Sequence, residues 1–378
     1  MCISPLPQET LSNMNNFKYT STDDSIMYNK CMSPCLNVLV NYLPRWLAPN
    51  LITFISLIFN IFAAIISYND GGFDFSVELK PVTCIVIGLF QFIYQLLDNI
   101  DGKQARRTGN STPFGMLMDH GCDVFTNICT AYNLSKLAIV GNDDIYSFSV
   151  FFGLILGFYM MTYEEYKLGE MHFPPINGTD EGNFFIFILG VVCGIFGQNF
   201  LYYTIINKYS ITVGKVIQLG VVIGGLSCIF NLYLHTYKKK GLKEMAIIVL
   251  DNIPFYSVVV IPIYYIIFNL DFYTEYKWLI LCNSCLIFAR ITIDIQIKIL
   301  TMDVLRCNYM VFISNIIYII TIILSSTIIK YYTLLILFVL QIAELCVFIY
   351  FRAREITTYL NIRIFCINAA PQILNTSI

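Results

Sequence analysis

Long runs of apolar residues, separated by short polar breaks, cover most of the chain after residue 48. Ten runs have about 20 residues each, the length that an α-helix needs to cross the hydrocarbon core of a bilayer. Their predicted limits are 49–68, 81–99, 116–140, 146–166, 183–205, 211–235, 246–268, 278–300, 308–329 and 331–351. The pattern predicts an all-α, polytopic membrane protein with about ten transmembrane helices.

The residues before the first run follow a different pattern. Residues 1–24 are polar, which predicts a loosely structured segment. Residues 25–46 mix apolar positions with Lys30 and Arg45, a weakly amphipathic pattern typical of a helix that lies in the membrane interface. Trp46 suits the level of the lipid headgroups. No basic stretch precedes an apolar core here, so we expect no cleavable signal peptide.

The composition supports a membrane protein. The chain is 57% hydrophobic and 13% charged, and its mean hydropathy is +0.67, whereas a soluble domain carries about 25% charged residues. The net charge of −2 gives no reason to expect a nucleic-acid partner. The 13 cysteines are scattered and odd in number, so we expect free thiols.

Lys and Arg residues outside the runs are concentrated on the side that carries the N-terminus, for example at Lys238–Lys240. Cytosolic loops of membrane proteins carry such an excess. Both termini, and the turn between the second and third runs, are therefore predicted to be cytosolic.

A polar stretch interrupts the apolar pattern at that cytosolic turn. Asp98 and Asp101 are three residues apart and share one helix face, while Gly115, Asp119 and Asp123 are spaced four and four along a second helix. Carboxylates at the end of an apolar run are costly unless a cation neutralises them. The spacing favours two helix ends that face each other and bind divalent metal.

Neighbouring residues suit phosphoryl chemistry, in which a pair of metal ions commonly acts. Gly102, Ala105 and Gly115 leave room for a nucleotide, and Arg106 offers a fork of donors to phosphate oxygens. His120 carries an imidazole that titrates near neutral pH, which suits a general base. On these residues alone, His120 could instead hold a ligand carboxylate. The carboxylates could instead form an ion-pair network or the ion pathway of a transporter.

The stretch has the pattern D-x-x-D-G-x-x-A-R-x(8)-G-x-x-x-D-x-x-x-D without a departure in spacing, and it resembles the signature of the CDP-alcohol phosphotransferase family. The resemblance implies an all-helical membrane-embedded fold. It also implies the transfer of a phospho-alcohol from a CDP donor to an alcohol acceptor with divalent metal.

Further segments resemble the eukaryotic choline/ethanolamine phosphotransferase branch of that family. They are DGKQARRT with DHGCD, WLAPNLIT before the first run, EEY…G…INGTDEG at Glu164 to Gly182, and ITTYLNIRIFCI near the C-terminus. Glu164 and Glu165 could form a solvated loop edge or bind the headgroup. The resemblance covers nearly the whole chain. It implies that CDP-choline or CDP-ethanolamine reacts with diacylglycerol and releases CMP in the endoplasmic reticulum or Golgi membrane, with the active site facing the cytosol.

The resemblance also implies roles for individual residues. Four aspartates would hold two Mg²⁺ or Mn²⁺ ions: Asp98, Asp101, Asp119 and Asp123. Arg106 would contact the CDP phosphates, and Asn50 would approach the nucleotide. His120 matches the histidine that is taken as the proton acceptor in this branch, and Asp123 is the alternative base.

One residue departs from the branch pattern. An acidic residue usually follows the glycine of the motif, and this chain has Met116 there. Positions 116 and 120 are four apart, so that acid would lie beside the histidine. Its absence weakens the assignment of the base more than the assignment of the reaction.

The resemblance divides the chain into four parts. Residues 1–46 form the cytosolic N-terminus with the interfacial helix, and 47–235 form the catalytic core. Residues 236–352 add helices for dimerisation or for the acceptor lipid, and 353–378 form a cytosolic tail. The oligomeric state stays open, with a homodimer as one option.

Three alternatives remain at this point. The chain could belong to a branch that uses CDP-diacylglycerol, although such chains share only the motif. It could be a cation transporter, although its acids lie at one end of the bilayer. It could be an inactive scaffold because of Met116, although its set of aspartates is complete.

Overall fold

Helices make up most of the regular structure in the described residues, which are 5–17, 21–138, 144–305 and 309–367 of this computed structural model. The ends of the predicted third and ninth runs, and residues 368–378 of the predicted tail, lie outside this part of the chain. The helices there are α1 (Gln8–Asn13), α2 (Ser33–Leu39), α3 (Pro49–Tyr68), α4 (Pro81–Thr108), α5 (Pro113–Leu137), α6 (Asp144–Leu168), α7 (Asn183–Phe196), α8 (Val213–Lys240), α9 (Leu242–Asp251), α10 (Ile253–Phe268), α11 (Leu270–Thr301), α12 (Tyr309–Ile323) and α13 (Thr327–Leu360).

Each of the ten predicted runs coincides with one helix or with one bent pair, which confirms the all-α polytopic fold. Seven helices in the described part are long and apolar enough to cross a membrane. The number becomes eight if α9 and α10, which are bent by 56° at a short break, count as one span. The helix α5 is more polar, and the apolar part of α12 is short. The chain is therefore an integral membrane protein.

The N-terminal residues are more ordered than their polar sequence predicts. The expectation of a loose segment is wrong for the described residues, because the Leu6 amide donates to Glu355 Oε1 (2.5 Å) and Asn13 Nδ2 to the Thr301 carbonyl (3.0 Å). Residues Ser21–Asp23 form strand β1, which pairs in parallel with strand β2, Met171–Phe173. These partners are distant in sequence, so no local pattern could reveal them.

The predicted interfacial segment, 25–46, contains a π-helical turn at Tyr28–Met32 and the helix α2. Leu36 is buried with Ile52 of α3 and Ile100 of α4. Tyr42 and Trp46 are exposed at 81% and 74%. One apolar side thus packs on the helices, while aromatic residues at the end of the segment remain available for the membrane interface.

Several predicted runs have different limits in the structure, and the fifth, seventh and eighth show why. The fifth run, predicted to end at residue 205, ends at Phe196 because Gly197 takes a positive φ of 74°. A small antiparallel pair follows, with β3 at Thr204–Ile206 and β4 at Ile211–Thr212. The seventh run breaks before Pro254, and the eighth begins earlier, with a non-helical backbone at Tyr276.

The helix α4 lies between α3 and α7, and α5 contacts α3, α6 and α11. The helices α4 and α7 touch through their backbones, because a Cβ atom on Gly190 would lie 2.7 Å from the Gly88 Cα atom. Such close approach is typical of small residues in membrane helices. The packing holds α4 and α5 side by side at one end of the bundle.

At the opposite end, Lys136 of α5 fastens the loop between α3 and α4. Its buried ammonium donates to the carbonyls of Asp70 (2.9 Å) and Asp74 (2.7 Å). Burial tends to raise the pKa of the Asp70 carboxyl, but hydrogen bonds from Lys80 and Thr83 outweigh it and hold this pKa below its usual value. The loop therefore fixes the far ends of α3, α4 and α5.

Candidate active site

A tight turn places the motif on two neighbouring helix ends. The helix α4 ends at Gly109, whose left-handed φ of 68° reverses the chain, and the Asn110 amide donates to the Ala105 carbonyl (2.9 Å). Thr112 then caps α5, because its Oγ1 accepts from the Gly115 amide (3.0 Å). The end of α4 and the start of α5 are held together by this local geometry.

Three of the four predicted ligands meet between these helices. Carboxylate oxygens of Asp98, Asp119 and Asp123 all lie within 4.8 Å of one another. In the described part of the chain, Asp98 Oδ1 and Asp119 Oδ1 are buried and have no hydrogen-bond partner. Asp123 Oδ1 accepts from the Tyr94 hydroxyl (2.9 Å). Two ligand oxygens are thus available, and the third carboxylate is oriented by a tyrosine.

This donor set fits a divalent cation. Carboxylates at such short range repel one another strongly in a medium of low dielectric constant. Oxygen donors are also the ligands that Mg²⁺ and Mn²⁺ prefer. The buried, unpartnered oxygens of Asp98 and Asp119 are explained if a metal ion completes their coordination.

Asp101 lies outside this three-residue group, although it is close enough to Asp119 for electrostatic repulsion. It is 5% exposed, and its Oδ2 accepts a hydrogen bond from Thr53 Oγ1 of α3. Sequence reasoning missed Thr53 as a site residue. A signal was present, because Thr53 is three residues after Asn50 and shares its helix face.

Asn50 lies at the start of α3, beside the motif glycine of α5. A Cβ atom on Gly115 would lie 3.5 Å from Asn50 Oδ1, and Asn50 Nδ2 donates to the Ile364 carbonyl (2.9 Å). The structure therefore brings Asn50 and Gly115 together, as predicted for a nucleotide site. The absence of a side chain at Gly115 leaves space between α3 and α5.

Arg106 is exposed at the end of α4, near Gly102. A Cβ atom on Gly102 would lie 3.6 Å from Arg106 Nη1, so the guanidinium group reaches back along the helix. Ala105 is half-buried beside it. This arrangement leaves a solvent-accessible cation next to a helix face with little side-chain bulk.

The other cations of this turn bind the N-terminal segment. Lys103 Nζ donates to Asn37 Oδ1 (2.8 Å), and Arg107 Nη1 donates to the Leu43 carbonyl (2.8 Å). These two hydrogen bonds attach the interfacial segment to α4, the helix that carries Asp98 and Asp101.

His120 lies on α5 between two other helices. Its carbonyl accepts from Gln296 Nε2 of α11 (2.8 Å), and its Nδ1 lies 4.0 Å from Glu165 Oε2 of α6. The sequence left Glu165 open between a solvated loop edge and a headgroup ligand, and it did not predict Tyr94 as a site residue. Tyr94 had a signal, since it is four residues before Asp98 on α4. The place of Glu165 depends on how α6 packs against α5, which no local pattern predicts.

Comparison with known proteins agrees with the motif and the fold. The profile of the CDP-alcohol phosphatidyltransferase family matches residues 46–177. An uncharacterized class-I member of that family, protein 2 of Dictyostelium discoideum, is 30% identical over 371 residues, covering 96% of this chain and 88% of its own length.

Two further relatives have named activities and shorter matches. Cholinephosphotransferase 1 of Saccharomyces cerevisiae is 31% identical over 206 residues, covering 54% of this chain and 52% of its own length. Ethanolaminephosphotransferase 1 of Mus musculus is 29% identical over 266 residues, covering 66% of this chain and 64% of its own length. The chain belongs to the CDP-alcohol phosphatidyltransferase family. Its family and the names of its relatives identify it as a CDP-alcohol phosphotransferase.

Proposed function

We propose that this protein transfers phosphocholine, phosphoethanolamine or both from the CDP-alcohol to diacylglycerol, giving phosphatidylcholine or phosphatidylethanolamine and CMP. The observation that carries the proposal is the cluster of Asp98, Asp119 and Asp123 at the junction of α4 and α5. The relatives named for choline and ethanolamine transfer support these head groups.

Four aspartates are proposed to hold two Mg²⁺ or Mn²⁺ ions: Asp98, Asp101, Asp119 and Asp123. When bound, the ions neutralise the pyrophosphate charge and stabilise the phosphate that departs with CMP. Arg106 donates to the CDP phosphates, while Gly102, Ala105 and Gly115 leave room for the nucleotide beside Asn50. The exposed guanidinium of Arg106 and the space at Gly115 support these roles.

His120 is proposed as the general base. It accepts the proton of the diacylglycerol hydroxyl, and the oxygen attacks the phosphorus atom bonded to choline or ethanolamine. The bond from that phosphorus to the bridging oxygen breaks, and CMP leaves with the electron pair. Asp123 is the second candidate, but it already accepts from Tyr94 and belongs to the carboxylate cluster. His120 lies outside that cluster, which supports its role.

The active site is proposed to face the cytosol, in the membrane of the endoplasmic reticulum or Golgi. The excess of Lys and Arg on the side of the site supports this orientation. A soluble CDP-alcohol would then reach the carboxylates from water, and diacylglycerol would reach them from the bilayer. We assign the catalytic core to residues 47–235, with the later helices serving the acceptor lipid or a homodimer contact.

Another family branch, which uses CDP-diacylglycerol, is the second candidate. The named relatives favour the first assignment. A cation transporter is disfavoured because the clustered carboxylates lie at one end of α4 and α5, whereas ion pathways place acids through the bilayer midplane.

The test measures phospholipid synthesis in membranes that contain the protein, with diacylglycerol and labelled CDP-choline or CDP-ethanolamine. We expect product from wild type with Mg²⁺ or Mn²⁺ and none with a chelator. Asp101→Ala should abolish the product, and His120→Ala should lower it by roughly 100-fold or more. Asp74→Ala, at the opposite end of the bundle, is the matched control and should retain activity.

The absence of any phospholipid product from wild type would contradict the proposal. Near-normal activity of His120→Ala would move the general base to Asp123. Phospholipid product from CDP-diacylglycerol with inositol or glycerophosphate as the acceptor alcohol would favour the second candidate.

A further inference from the structure

Glu165 is an acid that the proposed reaction does not yet use. It lies near the end of α6 and is 3% exposed. Its Oε2 is buried and has no hydrogen-bond partner in the described part of the chain. A buried carboxylate is costly in free energy unless a hydrogen-bond donor or a cation compensates it. We therefore expect such a group beside Glu165.

The side chain that Glu165 faces is the imidazole of His120. Glu165 Oε2 lies 4.0 Å from His120 Nδ1, and both side chains are largely buried, with exposed fractions of 4% and 14%. The distance is longer than a hydrogen bond, as is common for catalytic contacts before substrate binds.

The adjacent acid on α6 points elsewhere. Glu164 Oε1 lies 2.6 Å from His235 Nδ1 of α8, so the two neighbouring glutamates face different histidines. Meanwhile Gln296 of α11 holds the backbone of His120. The helix α5 thus presents His120 to α6, and α6 offers it a single carboxylate.

We propose that Glu165 is the positioning residue for His120. Its carboxylate accepts the Nδ1–H hydrogen bond, which fixes the tautomer that leaves Nε2 to accept the proton from the acceptor hydroxyl. Glu165 itself neither contacts substrate nor takes the proton. The inference rests on the proposed function, since it requires His120 to act as the base.

This assignment also accounts for Met116. Position 116 lies one turn before His120 on α5, where an acid would face the same imidazole, and Met116 is half-buried against the hydrophobic core instead. The structure places the carboxylate on the neighbouring helix α6. An acid reintroduced at 116 should therefore substitute for Glu165.

The experiment compares the kinetics of purified full-length variants with CDP-choline, CDP-ethanolamine and diacylglycerol. Glu165→Gln keeps the shape of the side chain but removes the charge and one acceptor oxygen. We expect kcat to fall by roughly 10- to 100-fold, the usual cost of losing the carboxylate partner of a functional histidine. KM for the CDP-alcohol and Mn²⁺ binding should stay unchanged, because the nucleotide and metal ligands are untouched.

Two further variants test whether Glu165 acts through His120. In a His120→Ala background, Glu165→Gln should cause no further loss, since the group that it positions is gone. Met116→Glu added to Glu165→Gln should recover much of kcat.

Glu164→Gln is the matched control, with an expected kcat close to wild type. Glu165→Leu repeats the test with an apolar side chain, which a buried site commonly tolerates.

Several results would overturn the role of Glu165. They are a normal kcat in Glu165→Gln, an equal further loss in the His120→Ala background, or a raised KM for the CDP-alcohol with unchanged kcat, which would make Glu165 a headgroup ligand. All three require an active wild type. A wild type without phospholipid product would instead overturn the proposed function.

Discussion

Hydrogen bonds divide the four aspartates of the site into two environments. Asp123 and Asp101 accept from hydroxyl groups, those of Tyr94 and Thr53. Asp98 and Asp119 each keep a buried oxygen without a partner among the described residues. Asp123 and Asp101 are therefore oriented before any metal ion binds. Asp98 and Asp119 have buried oxygens that a metal ion would neutralise.

Thr53→Val tests this orientation at a single atom. The variant keeps the side-chain shape and removes the hydroxyl that donates to Asp101. We expect phospholipid synthesis to fall by roughly tenfold or more, as for other residues that orient metal ligands. The apparent affinity for Mn²⁺ should weaken with it.

Thr53→Ser retains the hydroxyl and serves as the control, with activity near wild type. Full activity in Thr53→Val would show that Asp101 needs no orienting donor.

At the scale of elements, the site depends on how closely α4 is held by its neighbours. The Gly88–Gly190 contact brings the backbones of α4 and α7 together, and the Lys103 and Arg107 hydrogen bonds attach the interfacial segment to the same helix. The helix that carries Asp98 and Asp101 is thus fixed on two sides.

Gly190→Ala should disturb this contact. A methyl group at Gly190 would lie 2.7 Å from backbone atoms of Gly88, which cannot move aside without a shift of the whole helix. We expect a loss of about 1–3 kcal/mol in stability, typical of overpacking. Thermal unfolding in detergent would measure it as a lower Tm.

Gly220→Ala in α8 is the matched control, because nothing lies within 4 Å of the added atom. An unchanged Tm in Gly190→Ala would mean that α4 and α7 separate readily, contrary to the packing described.

The sequence predicted the elements better than their limits. Length and hydropathy located all ten runs because each apolar run must be covered by helix in a bilayer. The break between α9 and α10 occurs at Pro254, and the early end of α7 occurs at Gly197. A hydropathy average over many residues does not show the effect of a single proline or glycine.

The sequence likewise predicted some residues of the candidate site and not others. Helical spacing placed Asp98, Asp119 and Asp123 on facing surfaces, since periodicity within a helix is local. Thr53 and Glu165 lie on other helices, and their contacts with the motif arise from tertiary packing. Spacing within one helix cannot show such contacts, and the sequence pointed to Asn50 of α3 only through the family resemblance.

At the scale of the whole molecule, the carboxylate cluster should link stability to metal. A ligand that binds only the folded state stabilises it, by about 2.7 kcal/mol at 100 times its Kd. We expect Mn²⁺ to raise the Tm of the detergent-solubilised protein and a chelator to reverse the rise. Asp119→Asn should abolish the rise, because it removes one ligand charge.

Asp119→Asn should also raise the Tm of the metal-free protein, since one of three mutually repelling carboxylates becomes neutral. A rise with Mn²⁺ of equal size in Asp119→Asn would place the ion elsewhere. Asp74→Asn, far from the cluster, is the control and should respond to Mn²⁺ as wild type does.

The pairing of β1 with β2 has a consequence for biosynthesis. A ribosome releases the chain from its N-terminus, so residues Ser21–Asp23 emerge long before Met171–Phe173, to which they pair. The contacts of Leu6 and Asn13 wait still longer, until Glu355 and Thr301 have been made. Leu6 and Asn13 are thus synthesised early, but they reach their final contacts only after most of the described chain has been made.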